Sequence, residues 1–362
     1  MHMNLRELLA ALGYWLMSRT GRISANRVNA DRTKARQGGR RVLQLFFCCS
    51  TWHLIANVAD PALTGSAAII VRSVHATHLR GLARRFQLPI IAPRGSVVAA
   101  ILILWVLSGG VVNVWLPHLS PSDFPGHFLR SFLSSLEAQG VARFFDDGLG
   151  FFTRESHIYR QGWIARNATL HSWDYSLNEF MARECSRLRR RSSFARALAL
   201  VQSHAPSLFQ ASGAEIPCCD AGARLNIFLA SRCLDFSVCS PILRSINGPE
   251  STCYVPHYNV DKNDRRMMTR LPLLRFELPE FGLLAMAQRT SLRLYFGITS
   301  TAINLLELIL RSDLGYRLEC VFPIGTSPDH AANQDAMAFA ALLGRYKKLE
   351  LLSARGVDIR GL

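Results

Sequence analysis

The chain has 362 residues, 49% of them hydrophobic, with 42 Lys and Arg against 26 Asp and Glu and a formal net charge of +16. Such an apolar fraction excludes global disorder, and the length suits two α/β domains of ~150 residues each better than one small domain. The basic excess, mostly arginine, favours polyanions such as anionic head groups or phosphorylated small molecules; without an RNP-type motif, zinc-finger spacing or basic zipper, no nucleic-acid partner is expected.

The first forty residues read as a basic flexible leader. NLRELLAALGYWLM fits an amphipathic helix, and the arginine-rich stretch after it has no apolar periodicity. It lacks the long apolar run and small-residue cleavage site of a secretory signal. It is either a segment that touches acidic lipid or an ordinary extension. An N-terminal α/β domain is expected over 41–222. VLQLFFCC reads as a strand covered on both faces. STWHLIANVA follows as a helix capped by Ser50 or Thr51, with Leu54, Ile55 and Val58 as its apolar stripe. AAIIVRS is a strand, HLRGLARRFQ a helix and QLPIIAP a short strand. Residues 96–117, SVVAAILILWVLSGGVVNVWLP, carry no charge and approach the ~20 residues of a membrane span. Gly109 and Gly110 divide them, so a buried helix followed by the strand VVNVWLP is the preferred reading. SDFPGHFLRSFLSSLEAQG is a helix and VARFF a strand. From 151 to 222 the pattern is less regular. It includes RECSRLRRRSSFARALALVQ, a basic helix-prone stretch that is either a solvated face or an anion-facing one.

A C-terminal α/β domain is expected over 223–362. ARLNIFLAS and STCYVPHY are strands. PLLRFELPEFGLLAM reads as strand, turn at Pro279 and helix. SLRLYFGITSTAINLLELIL reads as strand, small-residue turn and helix. YRLECVFPI is a late strand and DAMAFAALLGRYKKLELL the last helix. Strands alternating with helices of these lengths indicate parallel sheets with crossovers. Nine cysteines are present. They form no C-x-x-C pair, and Cys48, Cys49, Cys218, Cys219, Cys233 and Cys239 read as buried thiols of a protein in a reducing cytoplasm.

Three positions stand out chemically. Asp146 and Asp147 follow the strand VARFF directly, with Gly148 and Gly150 beyond. Paired carboxylates at a strand's carboxyl end interact, so one can hold a raised pKa and act as a base; the alternative is an Asp-Gly turn. His257 follows an apolar strand. It is suited to a phosphate hydrogen bond or general acid chemistry, or is a surface loop residue. Thr299, Ser300 and Thr301 mark a strand-to-helix junction, either an anion site or a plain N-cap. No Walker lysine motif occurs and no G-x-G-x-x-G opens a helix, which disfavours ATPases and dinucleotide enzymes.

In this order the windows LQLFFCCSTWHLIANVA, DDGLG, PHY and TSTAINL resemble the bacterial sialyltransferases of lipooligosaccharide and capsule polysialic acid. LNIFLAS and LPEFGLLA resemble that group's second-domain opening strand and its proline-glutamate helix. The resemblance spans roughly 41–340. Tyr258 stands where the group has proline, and Thr301 where it has a second serine. The resemblance implies two Rossmann-like domains facing a cleft, the B-type glycosyltransferase fold. It implies an inverting transfer from a CMP-sugar, with no catalytic metal and no further cofactor. It would put the base on Asp146, leaving-group assistance on His257 and phosphate binding on Ser300 and Thr301. The expected partners are a nucleotide-sugar donor, a glycan or glycolipid acceptor and, peripherally, an anionic membrane facing the bacterial cytoplasm. Another nucleotide-sugar donor, or a non-catalytic binding and assembly role, remains open.

Overall fold

The computed structural model describes residues 42–48, 50–59, 67–72, 79–86, 90–91, 111–117, 142–145, 169–177, 188–211, 224–231, 234–246, 252–256, 262–323 and 330–361. They form a mixed α/β protein with parallel sheets. The chain packs as two compact units: the first comprises 1–151, 155–174 and 178–205, the second 152–154, 175–177 and 206–362.

The first unit is built on a seven-stranded sheet. Its strands are β1 (Val42–Cys48), β2 (Ala67–Arg72), β3 (Ile90–Ile91), β4 (Val111–Pro117), β5 (Ala142–Phe145), β6 (Thr169–Trp173) and β7 (Leu188–Ser192), in the order β3-β2-β1-β4-β5-β6-β7. All its neighbouring strands run parallel. β1 lies inside the sheet between β2 and β4, as its largely apolar sequence fits, and Leu45, Phe46, Phe47 and Cys48 are buried. Its one polar residue, Gln44, accepts a hydrogen bond from Trp115 Nε1 at 2.7 Å. Helix α1 (Thr51–Ala59) follows at once, and His53 N–H donates to Ser50 Oγ at 3.2 Å, so Ser50 is the capping residue. Helix α2 (Leu79–Arg85) buries Leu79, Leu82 and Ala83 and leaves its arginines in water.

The stretch 96–117 is described only in its second part, which is the expected strand β4; the helix expected before it lies outside the described residues. Among the described residues no helix is long and apolar enough to cross a membrane.

The basic stretch near 190 departs from expectation. LRRRS is strand β7, at the sheet edge, and helix α3 begins only at Phe194 and runs to His204. Ser193 caps α3 by accepting from Arg196 N at 3.4 Å, and Asp174 Oδ1 accepts from Phe194 N at 2.8 Å. Two caps fix the start, and consecutive arginines are tolerated on an edge strand, where charge also blocks further pairing. Phe194 stacks on Trp173 at 4.6 Å between ring centroids, and Trp52 of α1 meets both rings. This aromatic cluster holds α1 and α3 against β6.

The second unit is Rossmann-like. Its five parallel strands are β8 (Arg224–Leu229), β9 (Thr252–Val255), β10 (Ser291–Phe296), β11 (Leu318–Val321) and β12 (Val357–Arg360), in the order β12-β11-β10-β8-β9. Helices α4 (Phe236–Ser245) and α5 (Lys262–Met268) lie on one face, where Cys239 and Met267 join Phe228, Tyr254 and Tyr295. On the other face α6 (Pro279–Arg289), α7 (Ser300–Leu310), α8 (His330–Lys347) and α9 (Glu350–Ala354) enclose Leu294, Phe296 and Phe322. Phe339 of α8 packs edge-on against Phe322 at 5.2 Å between centroids.

Three sequence expectations are corrected here. PLLRFEL is not a strand but makes isolated bridges; at the one between Tyr254 and Leu273, Tyr254 N–H donates to Pro272 O and Leu274 N–H to Tyr254 O, both at 2.9 Å. Pro279 does not make a turn but opens α6 at its first turn, where its missing N–H costs nothing. The last helix stops at Lys347, and the chain continues through α9 into β12. Gly356 permits that return with φ +80, and its backbone lies so close to Tyr316 that a Cβ there would be 2.0 Å from the Tyr316 carbonyl oxygen. Cys48 and Cys239 are buried as expected, and Cys253 and Cys320 are buried too; the other cysteines read as buried lie outside the described residues.

One sheet face carries a charged row. Glu319, 8% exposed, accepts from Arg224 at 2.6 Å and Arg293 at 2.8 Å, and pairs with Arg360 at 3.2 Å. These residues sit on four strands, so the pairs join β8, β10, β11 and β12 across the sheet.

Candidate functional site

The strand order of the second unit fixes where a ligand would bind. From β8 the chain moves outward to β9, whereas from β10 it moves the other way to β11 and β12. The direction therefore reverses between β8 and β10, and beyond their carboxyl ends lies the switch point at which open α/β sheets form their ligand-binding crevice. The two strands lie in register, Phe228 beside Tyr295 and Leu229 beside Phe296. Their exit loops are tied together. Gly297 N–H donates to Ser231 Oγ at 2.6 Å, and that hydroxyl donates to Leu229 O at 2.9 Å.

α7 starts at this crevice. Thr299 is its N-cap, with extended backbone at φ −153 and ψ 139, and its hydroxyl accepts from Thr301 N–H at 3.3 Å. The N-cap reading of the hydroxyl cluster is met here. The cap takes one of the first-turn N–H groups, while those of Ser300 and Ala302 have no partner within a helix that begins at this point. Thr299, Ser300 and Thr301 are each partly exposed. No acid stands in the first turn, so no carboxylate of the helix offsets the positive end of its dipole. Hydroxyls, free N–H groups and an uncompensated dipole together suit an anion of phosphate type.

β9 is parallel to β8 and ends at the same edge, with Val255 beside Leu229. Two strand spacings of ~4.8 Å separate the exits of β9 and β10. His257 follows β9 by two positions and lies outside the described residues. Asp146 and Asp147 likewise follow β5 directly and lie outside them. The structure thus places the strands that lead to these residues, and of the predicted site residues it describes Thr299, Ser300 and Thr301.

Further along α7 lies a polar feature that an apolar reading of INLLELIL conceals. Glu307 is wholly buried. Its carboxylate accepts from Ser176 N at 2.8 Å and Ser176 Oγ at 3.0 Å, from the Tyr346 hydroxyl of α8, and from the Arg311 guanidinium one turn on. Burial pushes the Glu307 carboxyl above its ordinary value, and this outweighs the opposing pull of Arg311, Tyr346 and Ser176. Burial and the nearby carboxylate hold the Tyr346 hydroxyl well above its usual range. Asn304 is also wholly buried, one turn before Glu307. Ser231, Asn304 and Glu307 were missed as site or network residues. The available signal was a polar side chain where the helical or strand pattern calls for an apolar one.

Burial drives the Cys239 and Cys320 thiols up to about 12, so neither is a thiolate nucleophile near neutral pH. No group of three His, Cys, Asp or Glu side chains able to hold a metal occurs among the described residues. No family model, no curated protein and no solved structure matches the chain.

Proposed function

We propose that the chain is a glycosyltransferase that moves a sugar, sialic acid on the motif resemblance, from a CMP-linked donor to a cell-surface glycan or glycolipid with inversion. The observation that carries this reading is the hydroxyl-bearing start of α7 beside the β8–β10 crevice, an arrangement suited to a phosphate. The reading includes a B-type arrangement in which two Rossmann-like domains face a cleft. It takes Asp146 as the base that removes the acceptor hydroxyl proton. The acceptor oxygen then forms its bond to the anomeric carbon, while the bond from that carbon to the phosphate oxygen breaks and CMP leaves with the electron pair. His257, with Ser300 and Thr301, meets the growing charge on the phosphate. The net charge of +16 favours both a negative donor and a peripheral position on an anionic membrane.

The test is a ligand-induced melting series with CMP, CDP, UDP and GDP, followed by hydrolysis of CMP-sialic acid. Selective stabilisation by CMP together with release of CMP from the sugar nucleotide is the expected result. Stabilisation by a nucleoside diphosphate alone would move the donor class. Binding of CMP without turnover, under conditions that include candidate acceptors, would support a binding role instead.

A further inference from the structure

Asn304 has no structural explanation within its own helix. Its side chain is fully buried, and neither Nδ2 nor Oδ1 has a hydrogen-bond partner. Native interiors leave few such groups, and an apolar residue of similar volume would suit a helix whose surroundings bury Ala302 through Ile309. Its position gives the reason. Asn304 follows Ser300 by four residues and precedes Glu307 by three, so Ser300, Asn304, Glu307 and Arg311 lie along one face of α7. Glu307 and Arg311 satisfy each other and Ser176. Helical side chains lean toward the helix start, which directs the Asn304 carboxamide toward Ser300 and the anion site.

We infer that Asn304 is a further ligand-contacting residue of the α7 site, and that it selects a phosphorylated ligand carrying a hydroxyl or amino group beside the phosphate. The inference rests on the phosphate-site reading above and extends it. A carboxamide offers a donor and an acceptor. Phosphate oxygens meet Nδ2, but an ionised phosphate ester has nothing to donate to Oδ1. Both atoms are satisfied only when the ligand adds a donor, such as a ribose hydroxyl or an exocyclic amine. Sulfate, fully ionised near neutral pH and without a donor, therefore satisfies half of the group, while a sugar phosphate or nucleotide satisfies all of it. The carboxamide is closed to solvent here, so the contact requires a rearrangement at the start of α7, where Ser300 and Thr301 are partly exposed.

The test is calorimetric titration of the full chain with sulfate, ribose 5-phosphate and CMP near neutral pH, alongside melting curves. Asn304→Leu should raise the melting temperature, because it removes the unmet amide. It should also weaken CMP and ribose 5-phosphate by about tenfold or more, the effect of losing two hydrogen bonds, and weaken sulfate by a smaller factor, the effect of losing one. Gaining stability while losing affinity is not what a structural role produces. Asn304→Asp, which keeps the shape but replaces the donor with a charge, should weaken all three probes and serves if the leucine variant fails to fold. Unchanged CMP affinity in either folded variant, with Ser300→Ala still weakening CMP, would overturn this inference alone. Failure of the unaltered chain to bind any of the three would overturn the phosphate site as well.

Discussion

Replacing Arg311 with methionine should destabilise the second unit by an amount that grows with pH. Glu307 is wholly buried, and Arg311 is the cation paired with it among the described residues, its side chain 17% exposed. Without Arg311 the carboxylate keeps three neutral donors, two from Ser176 and one from Tyr346. Removing one partner of a buried ion pair costs about 3–5 kcal/mol when the other stays ionised. Glu307 can escape by taking a proton, since burial already holds its carboxyl above the ordinary value of 4.5. That escape costs ~1.4 kcal/mol for each pH unit above the folded pKa. The loss should therefore be smallest at low pH, where Glu307 holds a proton, and rise toward ~3 kcal/mol at high pH, where it is ionised. For a unit of this size that is a fall of about 6–12 °C at the higher pH. The sign for Glu307 itself runs opposite to that of an exposed, ion-paired acid. A raised carboxyl contributes stability that is fully present below 4.5 and is lost as the pH rises through its folded value. Glu307→Gln should flatten that slope, and adding it to Arg311→Met should recover part of the loss near pH 8. Melting followed by circular dichroism across the pH range gives the answer. A loss independent of pH, or a double variant worse than Arg311→Met alone, would refute a charge buried at Glu307.

Gly356→Ala should cost ~1–3 kcal/mol, because φ +80 is strained for alanine and its Cβ would meet the Tyr316 carbonyl; urea unfolding reads the loss. Asp174→Ala should remove the acceptor of the Phe194 N–H and cost ~1 kcal/mol, seen as a lower melting temperature of the first unit. On the transferase reading, Asp146→Asn should lower turnover by several orders of magnitude while CMP affinity stays nearly unchanged; equal loss of both would mark a structural turn. Ser300→Ala combined with Thr301→Ala should weaken CMP by ~1–3 kcal/mol. That loss should be non-additive with His257→Ala in a calorimetric mutant cycle, as expected of groups sharing one phosphate.

Much of the fold was legible because each strand of a parallel sheet is a continuous apolar run. VLQLFFC, VVNVWLP and SLRLYF could hardly be anything else once a turn or cap followed them. The misreadings have physical causes. LRRRS looked helical from its charge, but its place at the sheet edge and the double cap before Phe194 decide its state, and both depend on tertiary contacts. TLHSW and VDIR are too short and too mixed to register as strands alone; pairing with β5 and β11 makes them so. FSVCSPILRS contains Pro241, which argues against a helix, yet Asp235 caps it through Val238 N–H and Cys239 anchors it in the core.

The site was legible as separate motifs rather than as an arrangement. The hydroxyls of TST and the serine of LAS are 68 positions apart in places such as Ser231 and Thr299, and nothing in either window says that they meet. What joins them is the order β10-β8-β9, which sets the β8 exit between those of β9 and β10 and ties it to one of them through the Ser231–Gly297 bond. Strand order also decides which isolated polar residue matters. Asn304 and Glu307 are equally buried on the same helix. Glu307 faces Ser176, Arg311 and Tyr346, and its polarity is consumed in holding α7 to its neighbours. Asn304 lies one turn nearer the crevice, where the fold offers it nothing. A polar group that the interior satisfies is part of the scaffold, whereas one left unmet beside a helix start points to a ligand that meets it.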